Sequence, residues 1–265
     1  GLGNEAITAS DTGSIAASTI TTVAAANSSG TLNVSAAGTI TGTAAEIIAA
    51  FADGTVTEAS NVALTVNSGT ATLTQARSLD GLTTGVVTAT IADTAVSDLL
   101  GSSPLLDANS NNAFTITIGT DDAEITAANL NSLNALTTVE NGIVATNVTQ
   151  ITGTVAATIT TYTAGENSEI SGLGNEAVVI SGESSNTLSD ASTLNTLDSK
   201  TTGIVNAGSL TTIEGALSAL LTAYASNGIT GLGNEAITLT DQGSISSTDL
   251  NTLDSKTSGD ITTHD

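Results

Sequence analysis

Apolar and polar residues follow two different periods in this chain. In Ala236–Thr240, Ile237 and Leu239 alternate with threonines, and this period of two predicts a β-strand. In Asp249–Lys256 two leucines lie three residues apart, after a run of Ser and Thr that suits a helix N-cap. This spacing predicts a short helix. The local pattern is therefore one strand followed by one short helix.

The same pattern is repeated along the chain. Gly172–Gly203 reads GLGNEAVVISGESSNTLSDASTLNTLDSKTTG, and Gly231–Gly259 reads GLGNEAITLTDQGSISSTDLNTLDSKTSG. The opening GLGNEA also stands at Gly1. A strand and a helix repeated in this way indicate coils that stack on one another, with a sequence unit of about two coils or about 57 residues.

Dividing the whole chain in the same way gives about ten strands at intervals of about 23 to 31 residues. Two coils offer alternative strands, and the alternatives are Thr31–Val34 or Thr39–Thr41, and Ile143–Ala145 or Val148–Ile151. Helical spacing at Thr43–Ala52 and Glu214–Tyr224 favours an α/β fold over the alternative, an all-β solenoid. We therefore predict an α/β repeat solenoid with a parallel β-sheet, in which residues 1–265 form a single array.

Glycines recur between each predicted helix and the next strand, where a helix C-terminus favours a residue that tolerates positive φ. They are Gly85, Gly142, Gly203 and Gly259.

Composition narrows the class of protein. The net charge is −23 with only three basic residues, which argues against nucleic acid and anionic membrane as partners. Two Phe and two Tyr are the only aromatic residues, so a narrow, repeated core fits better than one wide core. Cysteine and methionine are absent, and no run of about 18 apolar residues predicts membrane insertion.

Acidic residues at strand ends are the candidate metal ligands. Asp11 and Asp241 each precede a glycine by two residues, and Asp121 and Asp122 lie at a comparable place. An Asx-turn explains this pattern without any ligand. The functional alternative is that these four carboxylates bind calcium shared between coils, although no EF-hand loop is present.

Other candidate chemistry is sparse. Threonines alternate along predicted strands, as at Thr88 and Thr90, and stacked rows of them could order water as ice-binding solenoids do; β-propensity is the alternative explanation. His264 is the only histidine, and no base stands near the many hydroxyl groups. We therefore expect a protein that is not an enzyme and has no cofactor other than possible calcium.

The chain contains the sequences GLGNEA(I/V), LNTLDSKT(S/T)G and, at Thr41–Ile47, TGTAAEI. These sequences resemble the tandem repeats of very large bacterial surface and secreted proteins, especially those of marine cyanobacteria. The resemblance implies an extracellular or cell-surface protein, such as an adhesin, a surface-layer component or a filament subunit. It implies no catalytic residues. The alternative is a binding module whose Thr or Asp faces recognise ice, mineral, glycan or calcium.

Both ends of the sequence carry interior repeat text, because GLGNEA opens it and a strand start at Ile261 closes it. A repeat array without polar end caps exposes strand edges and core. We therefore expect a piece of a longer protein, in which further repeats or self-association cover these ends.

Overall fold

A computed structural model describes residues 3–92, 94–101 and 112–263. Gly1, Leu2 and His264 lie outside the described residues. The chain divides into two compact units, of which the first comprises residues 1–119 and 132–144 and the second residues 120–131 and 145–265. The single array of about ten coils stays a prediction.

The described residues form nine α-helices and nineteen strands. In chain order they are β1 (Ile7–Thr8), β2 (Ser14–Ala16), α1 (Ala17–Ala26), β3 (Leu32–Asn33), β4 (Thr39–Gly42), α2 (Ala44–Ala52), β5 (Val56–Thr57), β6 (Ala63–Val66), α3 (Leu73–Leu82), β7 (Val87–Thr90), α4 (Val96–Leu99), β8 (Ala113–Thr117), β9 (Glu124–Thr126), α5 (Ala127–Asn134), β10 (Ile143–Val144), β11 (Gln150–Gly153), α6 (Val155–Glu166), β12 (Ile170–Ser171), β13 (Ala177–Ile180), β14 (Thr187–Leu188), α7 (Ala191–Lys200), β15 (Val205–Asn206), β16 (Thr212–Gly215), α8 (Leu217–Ala225), β17 (Ile229–Thr230), β18 (Ala236–Leu239), α9 (Ser247–Asp254) and β19 (Ile261–Thr263).

Strands of the first unit pair in parallel with the strands of the next coil. One sheet runs β1, β3 and β5, and a second contains β2, β4, β6, β7, β8 and β10 in that order. In the second sheet a buried residue of one strand pairs with a buried residue of the next, and this register joins Ile15, Ile40, Leu64 and Val87. Each coil thus adds one apolar side chain to a continuous row in the core.

The second unit is built in the same way. One sheet runs β9, β11, β13, β15 and β17, and another runs β14, β16, β18 and β19, all in parallel. The buried rows are Ile125, Ile151, Val178, Val205 and Ile229 in the first, and Leu188, Ile213 and Ile237 in the second, which the half-buried Ile261 continues. Parallel strands alternating with helices confirm the predicted α/β fold, and the nine helices of the described residues are inconsistent with an all-β fold.

The predicted helix at Thr43–Ala52 is confirmed as α2, and its first turn shows why it forms. The Glu46 N–H donates to Thr43 Oγ1 at 3.2 Å, and the Thr43 N–H donates to Glu46 Oε2 at 2.8 Å. This capping box satisfies two amides at the helix N-terminus. The prediction at Glu214–Tyr224 starts too early, because Glu214 lies in β16 and α8 begins at Leu217.

Most coils contain two strands where the sequence predicts one. Both alternatives at Thr31–Val34 and Thr39–Thr41 are strands, β3 and β4, and both alternatives at residues 143–151 are strands, β10 and β11. The first of each pair is only two residues long, which is too short for an alternating pattern to show.

The glycines between helix and strand are needed for a different reason from the one predicted. None of Gly85, Gly142, Gly203 and Gly259 has positive φ. A Cβ atom on Gly203 would lie 2.0 Å from the carbonyl oxygen of Glu176, and one on Gly259 would lie 2.2 Å from that of Glu235. Close approach to the backbone of the preceding coil therefore requires glycine here.

Candidate functional site

The four predicted calcium ligands do not form one cluster. Asp11 lies in the first unit and is exposed, whereas Asp121, Asp122 and Asp241 belong to the second. Asp121 and Asp122 end a short 3₁₀ turn. Among residues 3–92, 94–101 and 112–263, no three or more His, Asp or Glu side chains are grouped so that they could hold a metal ion. Calcium binding stays a prediction.

Asp241 instead has a partner in the preceding coil. Its Oδ2 accepts a hydrogen bond from the Leu217 N–H at 2.6 Å, at the first residue of α8. The N-cap residue of that helix, Ala216, has no side chain that can cap it. A carboxylate at this end is also favoured by the helix dipole. Glu183 does the same for α6, where its Oε1 accepts from the Val155 N–H at 2.7 Å.

The glutamates of the GLGNEA text are buried. Glu176 and Glu235 are each 1% exposed. Glu176 Oε2 accepts from the Tyr162 hydroxyl at 3.0 Å and from the Gly174 N–H at 2.9 Å. The equivalent Glu235 accepts from the Tyr224 hydroxyl at 2.7 Å and from the Gly233 N–H at 2.8 Å. Each GLGNEA copy in the second unit is thus tied to the helix of the preceding coil.

The pKa of both tyrosine hydroxyls is raised in this setting. Burial is the main factor that raises the pKa of Tyr162 and Tyr224 well above the ordinary value, and the neighbouring glutamates raise it further. The phenols therefore stay protonated, and keep donating, to a higher pH than an ordinary tyrosine does. In the first GLGNEA copy the equivalent Glu5 is exposed, so this arrangement is not shared by all three copies.

A threonine two residues before Gly203 and another two residues before Gly259 donate to the backbone carbonyl of the glutamate in the same copy. Thr201 Oγ1 donates to the Glu176 carbonyl at 3.2 Å, and Thr257 Oγ1 donates to that of Glu235 at 2.8 Å. In the first copy Asn27 Nδ2 takes this place and donates to the Glu5 carbonyl at 2.8 Å. The three repeats therefore share one inter-coil contact despite different side chains.

The asparagine of the Leu-Asn-x-Leu text joins successive helices. Asn131 Nδ2 donates to the Ala157 carbonyl at 3.1 Å, and Asn195 Nδ2 donates to the Ala219 carbonyl at 2.9 Å. Both acceptors are the third residue of the next helix, α6 or α8. Only the leucines of this text predict the helix. The recurrence of the text at residues 130–133, 194–197 and 250–253 is the signal that marks the asparagine as well.

Threonines line up on one face of the first unit for a short distance. Thr41, Thr65 and Thr88 stand in register on β4, β6 and β7, and Ala16 and Ala113 occupy the flanking positions. In the second unit the corresponding row begins with Thr126 and Thr152. It then passes through Val179, Asn206 and Thr230. The rows are therefore broken after two or three hydroxyl groups.

One cleft of about 290 Å³ lies in the second unit, between α8 and α9. Leu217, Leu221, Asp241 and Asp249 contribute to its lining. The adjacent segment 240–246 is three residues shorter than its equivalent 181–190, which contains β14 and the buried Leu188. The cleft thus occurs in the copy that lacks the extra strand.

Comparison with known proteins adds no relationship. The chain matches no protein-family model, and neither the curated proteins nor the solved structures include one that is significantly similar to it. Within the part of the chain that the structure describes, no helix is both long enough and apolar enough to cross a membrane. The contacts between coils are therefore the observations that bear on function.

Proposed function

We propose that the chain is a structural, non-catalytic repeat segment of an extracellular or cell-surface protein, in which it acts as a spacer, a fibre element or a surface coat. One observation carries this proposal. The recurring polar side chains of Glu176, Glu183, Asn195 and Asp241 each bind a neighbouring coil. Groups used in this way specify how coils stack and are not available for chemistry on a substrate.

Charge and repetition support the same proposal. A net charge of −23 keeps a long repeat segment soluble and discourages binding to nucleic acid. Repeat proteins extend by adding coils, since each coil contacts only its neighbours. Self-association, or contact with further repeats of the same protein, is the kind of partnership that this role calls for.

The spacer role is tested by inserting a second copy of residues 172–230 after Thr230. Two added coils should lengthen a solenoid by about 10 Å, at about 4.8 Å for each parallel strand. Small-angle X-ray scattering of the two chains measures their maximum dimensions. A duplicated chain that folds but has the same maximum dimension would overturn the spacer role.

A binding role for the threonine face is the second candidate function. It is favoured by the register of Thr41, Thr65 and Thr88 on neighbouring strands. The binding candidate predicts that the protein slows the recrystallisation of ice and that Thr65→Val, which keeps the shape but removes the hydroxyl, weakens this effect. If ice recrystallises at the same rate with the protein, with the Thr65→Val variant and with buffer alone, ice is not the ligand. Binding of the protein and of the same variant to mineral and to glycan would then be compared.

A further inference from the structure

The sequence Leu-Asn-Thr-Leu-Asp-Ser-Lys-Thr occurs twice, at 194–201 and at 250–257, and most of each copy lies in a helix, α7 and α9. The first copy shows what this sequence binds. Asn195 Nδ2 donates to the Ala219 carbonyl at 2.9 Å, near the start of α8. Asp198 Oδ2 accepts from the Ser226 hydroxyl at 2.7 Å, just after the end of α8. Two polar contacts thus hold α8 against α7 at both of its ends.

Within the part of the chain that the structure describes, the second copy presents the same groups without a partner. Leu194 is fully buried, whereas the equivalent Leu250 is partly exposed. Asn251 and Asp254 are exposed, and their side chains make no hydrogen bond within the described chain. The outer face of α9, defined here by Leu250, Asn251 and Asp254, therefore matches an occupied face of α7 residue by residue.

A third helix supports the role of the asparagine. On α5, Asn131 donates to the Ala157 carbonyl of α6 at 3.1 Å. The acceptor is again the third residue of the following helix, and it is again alanine. Both described examples therefore place a helix of the same kind against this asparagine.

The strand that precedes α9 is paired in the same way as the equivalent strand before α7. β15 begins the coil that contains α8, and it pairs with β13 through Val178 and Val205. β19 pairs with β18 in the equivalent register, through Ile237 and Ile261. The strand that begins a coil of the α8 kind is thus already paired with β18, the strand that precedes α9.

We propose that the outer face of α9 is an interaction surface for a strand–helix coil of the kind formed by residues 204–228, joined in tandem. Asn251 donates to the backbone carbonyl of the third residue of the incoming helix. Asp254 accepts from a serine hydroxyl that follows that helix, as Asp198 does from Ser226. The occupant is thereby restricted to a helix with a small third residue and a hydroxyl at its C-terminal end.

The test extends the whole chain by a copy of residues 210–230 placed after Asp265, which continues the alignment of residues 260–265 with 204–209. The Leu250 and Leu253 amides of the extended protein should exchange with deuterium at least about tenfold more slowly, because α9 becomes an interior helix. The melting temperature should rise by several degrees. In the extended protein, Asn251→Ala should remove much of the slowing of exchange and much of the rise in melting temperature. In the original protein, the same substitution should leave the exchange rates and the melting temperature unchanged.

Asn195→Ala is the matched control, since its partner helix is present in both proteins and it should lower the melting temperature of both. Unchanged exchange at Leu250 and Leu253 in the extended protein would overturn the proposal, as would an equal effect of Asn251→Ala with and without the extension. Protection of α9 in the original protein that increases with concentration would also overturn it, because a second copy would then occupy the face. None of these outcomes depends on the length measurement that tests the spacer role.

Discussion

Asn195 and Asn131 occupy the same place in two repeats but differ by one hydrogen bond. Asn131 Oδ1 accepts from the Thr161 hydroxyl at 2.9 Å. The position equivalent to Thr161 in α8 is Ala223, and the buried Asn195 Oδ1 has no hydrogen-bond partner among the described residues. A buried polar atom without a partner costs about 1–3 kcal/mol of free energy of unfolding. The second repeat thus carries a defect that the first repeat avoids.

Ala223→Thr should therefore raise the free energy of unfolding by about 1 kcal/mol, after the lower helix propensity of threonine is subtracted. Ala223→Val has the same shape without the hydroxyl and should destabilise the protein. Urea denaturation of both variants measures the difference. If valine and threonine shift the midpoint equally, the missing hydrogen bond is not the cause.

Tyr162, which is buried, and Tyr224, which is half-buried, predict a loss of stability at alkaline pH. Their pKa is raised in the folded state, so the stabilisation is complete below the unfolded pKa of about 10 and decreases as the pH rises above it. Each tyrosine should lower the free energy of unfolding by up to about 1.4 kcal/mol per pH unit there.

Comparing the protein with the Tyr162→Phe, Tyr224→Phe double variant isolates this effect from the titration of lysine. The variant should be less stable at pH 7, because Glu176 and Glu235 lose a donor, but its unfolding free energy should fall less steeply above pH 10. Parallel curves for the two proteins between pH 9 and 11 would contradict the prediction.

Not all of these side-chain roles are visible in a sequence. The recurrence of Asn195 and Glu176 in repeated text marks them as special, and that much can be predicted. Their partners cannot, since Ala219 offers only its carbonyl and Tyr162 lies in α6, 14 residues before Glu176. The sequence places Asp241 just after a strand, but its contact with the Leu217 amide depends on how coils stack.

At the scale of elements, periodicity predicts most of the longer strands and helices and misses several of the two-residue strands. Burial of alternate residues in β18 and the capping box of α2 both arise within one segment, so the sequence contains the information. A strand of two residues such as β17 has no internal pattern. It exists because Ile229 pairs with Val205 of β15.

The close-packed glycines give a prediction at this scale. Gly203→Ala should lower the free energy of unfolding by about 2–4 kcal/mol, because the new methyl group would overlap the Glu176 carbonyl oxygen. Gly81→Ala is the control, since this glycine lies in α3 with no atom near the added methyl. It should stabilise the protein by about 0.5–1 kcal/mol. Thermal unfolding of both variants tests the prediction, which fails if Gly203→Ala is tolerated as well as Gly81→Ala.

At the scale of the whole molecule, charge and repetition act against each other. Within each unit, stacking brings successive coils close together, and the carboxylates of a chain with 26 acidic and three basic residues repel one another. The described residues offset this repulsion locally, by placing Asp241 and Glu183 on helix N-termini and Glu166 2.6 Å from Lys200. Most of the charge remains at the surface, where dissolved ions must screen it.

We therefore expect the melting temperature to rise with sodium chloride. Going from about 0.01 M to about 1 M salt shortens the screening distance from roughly 30 Å to roughly 3 Å, which removes most of the repulsion between coils. Calcium chloride at matched ionic strength should give the same melting temperature, because the Asp241 carboxylate already binds the Leu217 amide. A larger increase in calcium, absent when Asp11, Asp121, Asp122 and Asp241 are all changed to asparagine, would instead show that these carboxylates bind the ion. Differential scanning calorimetry in the two salts distinguishes the outcomes, since screening depends on ionic strength alone and a bound ion depends on its own concentration.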